Sequence, residues 1–188
     1  MQDAGVLRAA DGDVRIREVR SSDLKLYLAL RGDAGTMRDL GGPQPADRIA
    51  GSHAREVAEV AAGRAWIVVA EVRTEDRWQP AGNVSLVRHT APEGTTSELG
   101  WMVLPAHRGR GVAGTAVRLL LVLPGATATW GAVEAFPSTT NMASNRLCAG
   151  LGFVDLGQVE REFAGRRFTC TRWRLEPPYR RAAGSVRA

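Results

Sequence analysis

The residues best suited to chemistry stand together in Arg108-Gly109-Arg110-Gly111-Val112-Ala113. Ahead of them, Leu99, Trp101 and Val103 alternate as in a strand; behind them, Val112, Ala116, Leu119 and Leu120 recur at helical spacing. In a strand–loop–helix unit the first N–H groups of the helix have no acceptor inside it, so they point outward and can cradle an anion. Gly109 and Gly111 let a ligand come close to the backbone, while Arg108 and Arg110 add positive charge. The chemistry implied is anion binding, with a pyrophosphate as the best fit.

Three kinds of glycine loop share these letters. An ATP-binding loop needs Lys followed by Ser or Thr after its last glycine, whereas Val112 and Ala113 follow here. Gly109-x-Gly111-x-x-Gly114 matches the dinucleotide fingerprint, with Glu134 near the place of its acidic residue, but too little chain follows for a doubly wound domain. The third pattern fits better: Arg108-x-x-Gly111-x-Ala113 after an apolar strand resembles the acetyl-coenzyme A signature of the GNAT superfamily of N-acetyltransferases.

The elements that must position this loop read as follows. Residues 1–12 are small and polar, and residues 14–19 alternate apolar and charged as a half-buried strand. Ser21-Ser22-Asp23 caps a short helix through Leu30, residues 31–45 are broken by glycine and proline, and a second helix runs from Ala46 to about Ala62. Strands at 65–72, 81–88 and 97–104 with short connections form an antiparallel meander. A helix at 112–123 leads to a strand at 127–136, which the intervening helix makes parallel to 97–104. A helix at 141–151 and a hairpin of 153–159 with 167–175 close the order. The fold class is therefore α/β (α+β): a mixed central sheet, an antiparallel meander joined to a βαβ unit, with helices on both faces. One domain over residues 13–176 is expected, with flexible tails at 1–12 and 177–188.

The chain of 188 residues suits one domain with a sizeable core. No apolar run reaches the ~20 residues of a membrane span, the start lacks the pattern of a signal peptide, and a cytoplasmic location follows. Cys148 and Cys170 have no metal-ligand spacing and the three histidines are scattered, so no metal is expected. The net charge of +5 is carried by arginines spread along the chain, with Lys25 the only lysine. That balance suits attraction of an anionic cofactor better than nucleic-acid binding.

Asn141-Met142-Ala143-Ser144-Asn145, followed by Leu151-Gly152-Phe153, resembles the second GNAT signature, closest to the branch that acetylates ribosomal-protein N-termini. Met37-Arg38-Asp39-Leu40-Gly41-Gly42-Pro43 also looks like that branch, and the element order looks like the acyl-coenzyme A N-acyltransferase fold over nearly all of 13–176. Asn141 can equally cap its helix, and Gly152 can equally stop it.

The resemblance implies acetyl-coenzyme A as cosubstrate, without a metal. Its pantetheine would lie along Met102, Val103 and Leu104, its pyrophosphate on Arg108, Gly109, Arg110, Gly111, Val112 and Ala113, with Asn141 reaching the arm. It further implies that strands 97–104 and 127–136 splay at a bulge in the first, whose unpaired N–H could hold the thioester oxygen. Glu98 is favoured as the base that deprotonates the amine, with Glu134 on the facing strand as the second candidate. Many relatives carry Tyr where Cys148 stands; Ser144 takes the proton-donor role, and catalysis without a dedicated acid stays open. Cys148 reads as a buried small residue, not a nucleophile. The acceptor is a primary amine, of a protein N-terminus or a small molecule, and a homodimer is left open. The rivals are a non-catalytic cofactor-binding or regulatory module of the same fold, and a nucleic-acid binder.

Overall fold

The computed structural model describes residues 7–91, 94–123, 125–163 and 165–179. The chain enters as a hairpin of β1 (Arg8–Asp11) and β2 (Val14–Glu18), then a 3-10 turn at Ser21–Asp23. Three helices follow: α1 (Leu24–Arg31), α2 (Ala34–Met37), which runs into a 3-10 turn at Arg38–Leu40, and α3 (Ala46–Ala61). The meander is β3 (Ala65–Thr74), β4 (Arg77–Ala91) and β5 (Gly94–Val103). Beyond it come α4 (Val112–Leu121), α5 (Ala126–Trp130), β6 (Val133–Ala135), α6 (Met142–Gly150) and the hairpin of β7 (Val154–Phe163) and β8 (Arg166–Leu175).

The eight strands form one sheet in the order β1-β2-β3-β4-β5-β6-β8-β7. Every pairing is antiparallel except β5 with β6, the parallel step a helical crossover requires. Strand alternation sends Val68, Val84, Leu86, Leu99 and Trp101 to one face, under α4 and the end of α6. Ile67, Val69, Val87 and Met102 go to the other, under α1 and α3. The mixed α/β architecture with helices on both faces is thus present.

Four details depart from expectation. Residues 8–11 are not a frayed tail: Gly12, at φ 56°, turns the chain in the two-residue loop between Asp11 and Val14 and pairs β1 with β2. At the other end Tyr179 is buried and its hydroxyl donates to the Gly131 carbonyl, so the packed chain runs past 176; residues 180–188 lie outside the described residues.

The expected strand at 127–136 is instead α5 plus the three residues of β6. Gly125 (φ 81°) and Gly131 (φ 59°) bracket the helix, and packing decides against the β-forming letters: Ala126 is buried and Trp130 stacks edge-on against Trp66 at 5.6 Å. Fourth, the expected bulge in β5 is absent. Register with β4 runs unbroken from Gly82↔Val103 to Ala91↔Gly94. The two parallel strands part because β6 is short: it pairs only Ser97↔Val133 and Glu98↔Glu134. From Leu99 onward no described strand covers that edge of β5.

Candidate active site

The uncovered edge of β5 opens into a cleft of about 840 Å³, lined from one side by the glycine loop and α6 and from the other by the 31–56 segment and the β7–β8 hairpin. The loop is built as its sequence demands. Leu104-Pro105 ends the strand direction and a 3-10 turn at Pro105–His107 redirects the chain. Gly109 (φ 72°) and Gly111 (φ 75°) then take left-handed conformations that other residues adopt at a cost of ~1–2 kcal/mol. A Cβ at either would meet nothing within 4 Å, so the constraint is conformational rather than one of space.

Gly111 is the N-cap of α4 and supplies no side-chain cap. The Thr115 N–H reaches the Gly111 carbonyl at 3.0 Å, leaving the N–H groups of Val112, Ala113 and Gly114 without an intrahelical acceptor. Those donors, the positive end of a ten-residue helix and the Arg108 charge make a cradle that fits a pyrophosphate. Arg108 itself donates to the Val103 carbonyl (3.2 Å) and to the Thr36 hydroxyl (2.6 Å), tying the loop to α2.

Of the residues expected at the cofactor, Met102, Val103, Arg108, Gly109, Gly111, Val112, Ala113 and Asn141 line the cleft. Leu104 and Arg110 do not. Leu104 packs into the core under α1 and α3, and Arg110 is exposed away from the lining. Asn141 caps α6: its Oδ1 accepts from the Ser144 N–H at 3.1 Å. Ser144 also lines the cleft, and its hydroxyl makes no hydrogen bond among the described residues. Asn145 is a structural clamp, donating to the Ser138 and Asn141 carbonyls and accepting from the Trp173 indole at 2.9 Å.

The two carboxylates proposed as base differ sharply. Glu98 lines the cleft, its side chain one-third exposed, and its Oε2 accepts from Arg161 at 2.7 Å. Arg161 also stacks on Phe136, 4.2 Å from the ring centre. Glu134 is 3% exposed and outside the lining, held by Arg172 at 2.6 Å and Arg174 at 3.1 Å. It braces β6 to β8 and does not reach the cleft.

Cys148 is fully buried, and burial pushes its thiol up to about 12, which leaves no thiolate to act as nucleophile near neutral pH. Part of the lining was not legible in the sequence: Arg38, Arg48 and Arg55 of the helical wall, Asn83 of β4, and Phe168 and Cys170 of the hairpin. The one signal for them was Arg48, Ser52 and Arg55 at four- and seven-residue spacing on a single helical face.

A family model for the acetyltransferase (GNAT) domain matches residues 13–154. The chain belongs to the GNAT acetyltransferase family. It is accordingly an acyltransferase of the kind that uses acetyl-coenzyme A. No match to the chain was found among curated proteins by sequence.

Among solved structures, the ribosomal-protein-S5-alanine acetyltransferase of Vibrio fischeri superposes with a TM-score of 0.74 at 15% identity, covering 91% of this chain and 97% of that one. The microcin C7 self-immunity acetyltransferase MccE, solved with acetyl-coenzyme A and AMP, gives 0.73 at 15% identity over 88% and 93%. A chimera of the spermidine N-acetyltransferase SpeG of Vibrio cholerae gives 0.70 at 16% over 93% and 100%. At such identities the likeness is one of fold. No described helix is long and apolar enough to cross a membrane.

Proposed function

We propose that this GNAT protein transfers the acetyl group of acetyl-coenzyme A directly to a primary amine, with Glu98 as the base. The observation that carries this is a single cleft holding both the free N–H groups at the start of α4 and the Glu98 carboxylate, with the uncovered edge of β5 between them. The N–H groups of Val112, Ala113 and Gly114 and the guanidinium of Arg108 hold the pyrophosphate. Met102 and Val103 offer backbone groups to the pantetheine arm, which lies along β5 as an added strand would. The cosubstrate supplies an acetyl thioester.

Glu98 takes a proton from the acceptor ammonium, directly or through one water, and so frees the nitrogen lone pair. The amine attacks the thioester carbonyl carbon and the C–N bond forms. The nitrogen sheds its second proton through water, which restores the Ser144 hydroxyl, and the C–S bond breaks with coenzyme A leaving as thiolate. Arg161, paired with Glu98 and stacked on Phe136, fixes the direction of the carboxylate. Ser144, whose hydroxyl is uncommitted, is the proton donor to the thiolate; its neutral hydroxyl is a weak acid, so it contributes less than Glu98. The cap made by Asn141 holds the start of α6, and hence Ser144, in place.

The test is release of free thiol from acetyl-coenzyme A by the full chain in an amine screen, with Glu98→Gln alongside. Thiol release that needs both amine and Glu98 supports the reading. Equal release by Glu98→Gln across pH 6–9 would exclude Glu98 as base.

A further inference from the structure

The acceptor side of the cleft carries information about what it accepts, an inference that rests on the acetyl-transfer reading above. In β5, Glu98, Gly100 and Met102 face away from α4, opposite Val87, Ser85 and Asn83 of β4. This is the floor on which an acceptor lies, and Gly100 leaves it open: a Cβ there would come within 3.0 Å of the Ser85 hydroxyl.

Of the four carboxylates that line the cleft, Asp39, Glu56 and Glu98 are engaged and Glu162 forms no salt bridge among the described residues. Glu56 accepts from Arg31 at 2.5 Å and from the Tyr27 hydroxyl at 2.9 Å. Glu98 is paired with Arg161, and Asp39 accepts from the Thr140 hydroxyl at 3.2 Å. Glu162 stands across the cleft on the exposed β7–β8 hairpin. The arginines of the helical wall are the reverse case. Arg48 and Arg55 on α3, with Arg38 after α2, line the cleft, are exposed, and form no salt bridge among the described residues. Beside the floor, Asn83 is 5% exposed, and its buried Oδ1 has no hydrogen-bond donor. Buried acceptors are ordinarily satisfied, so this one awaits a donor.

We propose that the acceptor is an amine that also bears an anionic group, a carboxylate or a phosphate. The amine sits by Glu98 and Asn83, where an N–H satisfies the orphaned Oδ1; the anion lies against Arg48 and Arg55. Seven residues of helix separate these two arginines, about 10 Å along the axis, so they can meet charges at two depths of one ligand. A polyamine lacks any group for them and meets only one unpaired carboxylate, Glu162 on the exposed hairpin.

The experiment compares matched acceptors by thiol release: peptides beginning Ser-Asp-Asp against Ser-Asn-Asn, glutamate against glutamine, aminoethyl phosphate against ethanolamine, and spermidine. In at least one pair the anionic member is expected to show kcat/KM at least tenfold higher, and the pair that responds separates peptide, amino-acid and phosphate sources. In Arg48→Gln/Arg55→Gln the ratio is expected to fall towards one, while coenzyme A binding persists.

Neutral or cationic acceptors used equally well, or an unchanged ratio in the double variant, would overturn the assignment. Should no acceptor turn over, calorimetric binding of the same pairs to the coenzyme A complex decides it: tenfold tighter anionic binding supports it and equal binding refutes it. Failure of the wild type to bind coenzyme A at all refutes instead the acetyl-transfer reading on which it rests.

Discussion

The two walls of the cleft are made of different material. The wall of β5, the glycine loop and α4 presents backbone: N–H groups with no internal acceptor, a strand edge with no neighbour, two glycines at positive φ. The wall of α1–α3 and the β7–β8 hairpin presents side chains, chiefly arginines with Phe163 and Phe168. A backbone site serves a ligand that never changes, because its donors are fixed by the path of the chain. A side-chain site can be altered one residue at a time without moving the sheet.

If the difference is real, substitutions should separate along it. The largest effect belongs to Glu98→Gln. Removal of a positioned base should lower kcat by about 10²–10⁴ while coenzyme A affinity holds, read by steady-state kinetics and calorimetry. Next is Gly111→Val, which forces a β-branched residue to φ 75°. The loop should lose coenzyme A affinity by ten-fold or more, and melting temperature should fall by an amount matching ~1–2 kcal/mol. Ser144→Ala should reduce kcat only several-fold with KM unchanged, because its hydroxyl assists a leaving group that departs readily.

Below these stands Cys148, whose burial and raised thiol predict no alkylation at that residue in the folded chain at pH 8, checked by peptide mass spectrometry with and without denaturant. A last prediction concerns the frame that carries both walls. Burial tends to raise the Asp23 carboxyl, but hydrogen bonds from Arg17 and the Arg20 N–H, with the Arg17 charge, outweigh it and hold it below the usual carboxylate range. A depressed folded-state value means stability that is complete above about pH 4 and is lost as pH falls through the lowered value. Acid titration of wild type and Asp23→Asn, followed by circular dichroism, should show that loss only in the wild type.

Legibility in the sequence divides along the same line. Backbone sites leave letters: Gly109 and Gly111 announced their left-handed turns, and the spacing from Arg108 to Asn141 carried the family resemblance. The meander was readable because its strands are apolar and closely joined. What escaped were features decided by packing across the chain. Trp130 lies in a helix because Trp66 and the sheet receive it there, and β1 exists because Gly12 folds four weak strand formers back on β2. Glu98 was already favoured over Glu134 as base; burial and the Arg172–Arg174 clamp then take Glu134 out of the cleft. Arg48, Arg55 and Asn83 come from two distant elements, and the fold alone brings them to one cleft.

The most direct test of the central claim is a melting scan of the full chain against coenzyme A, acetyl-coenzyme A, NAD and ATP. A ligand at a hundred times its dissociation constant stabilises the fold by about 2.7 kcal/mol. A clear upward shift is expected with both coenzyme A species, reduced in Gly111→Val, and little or none with NAD or ATP. No shift with either coenzyme A species, or an equal one with NAD, would contradict it.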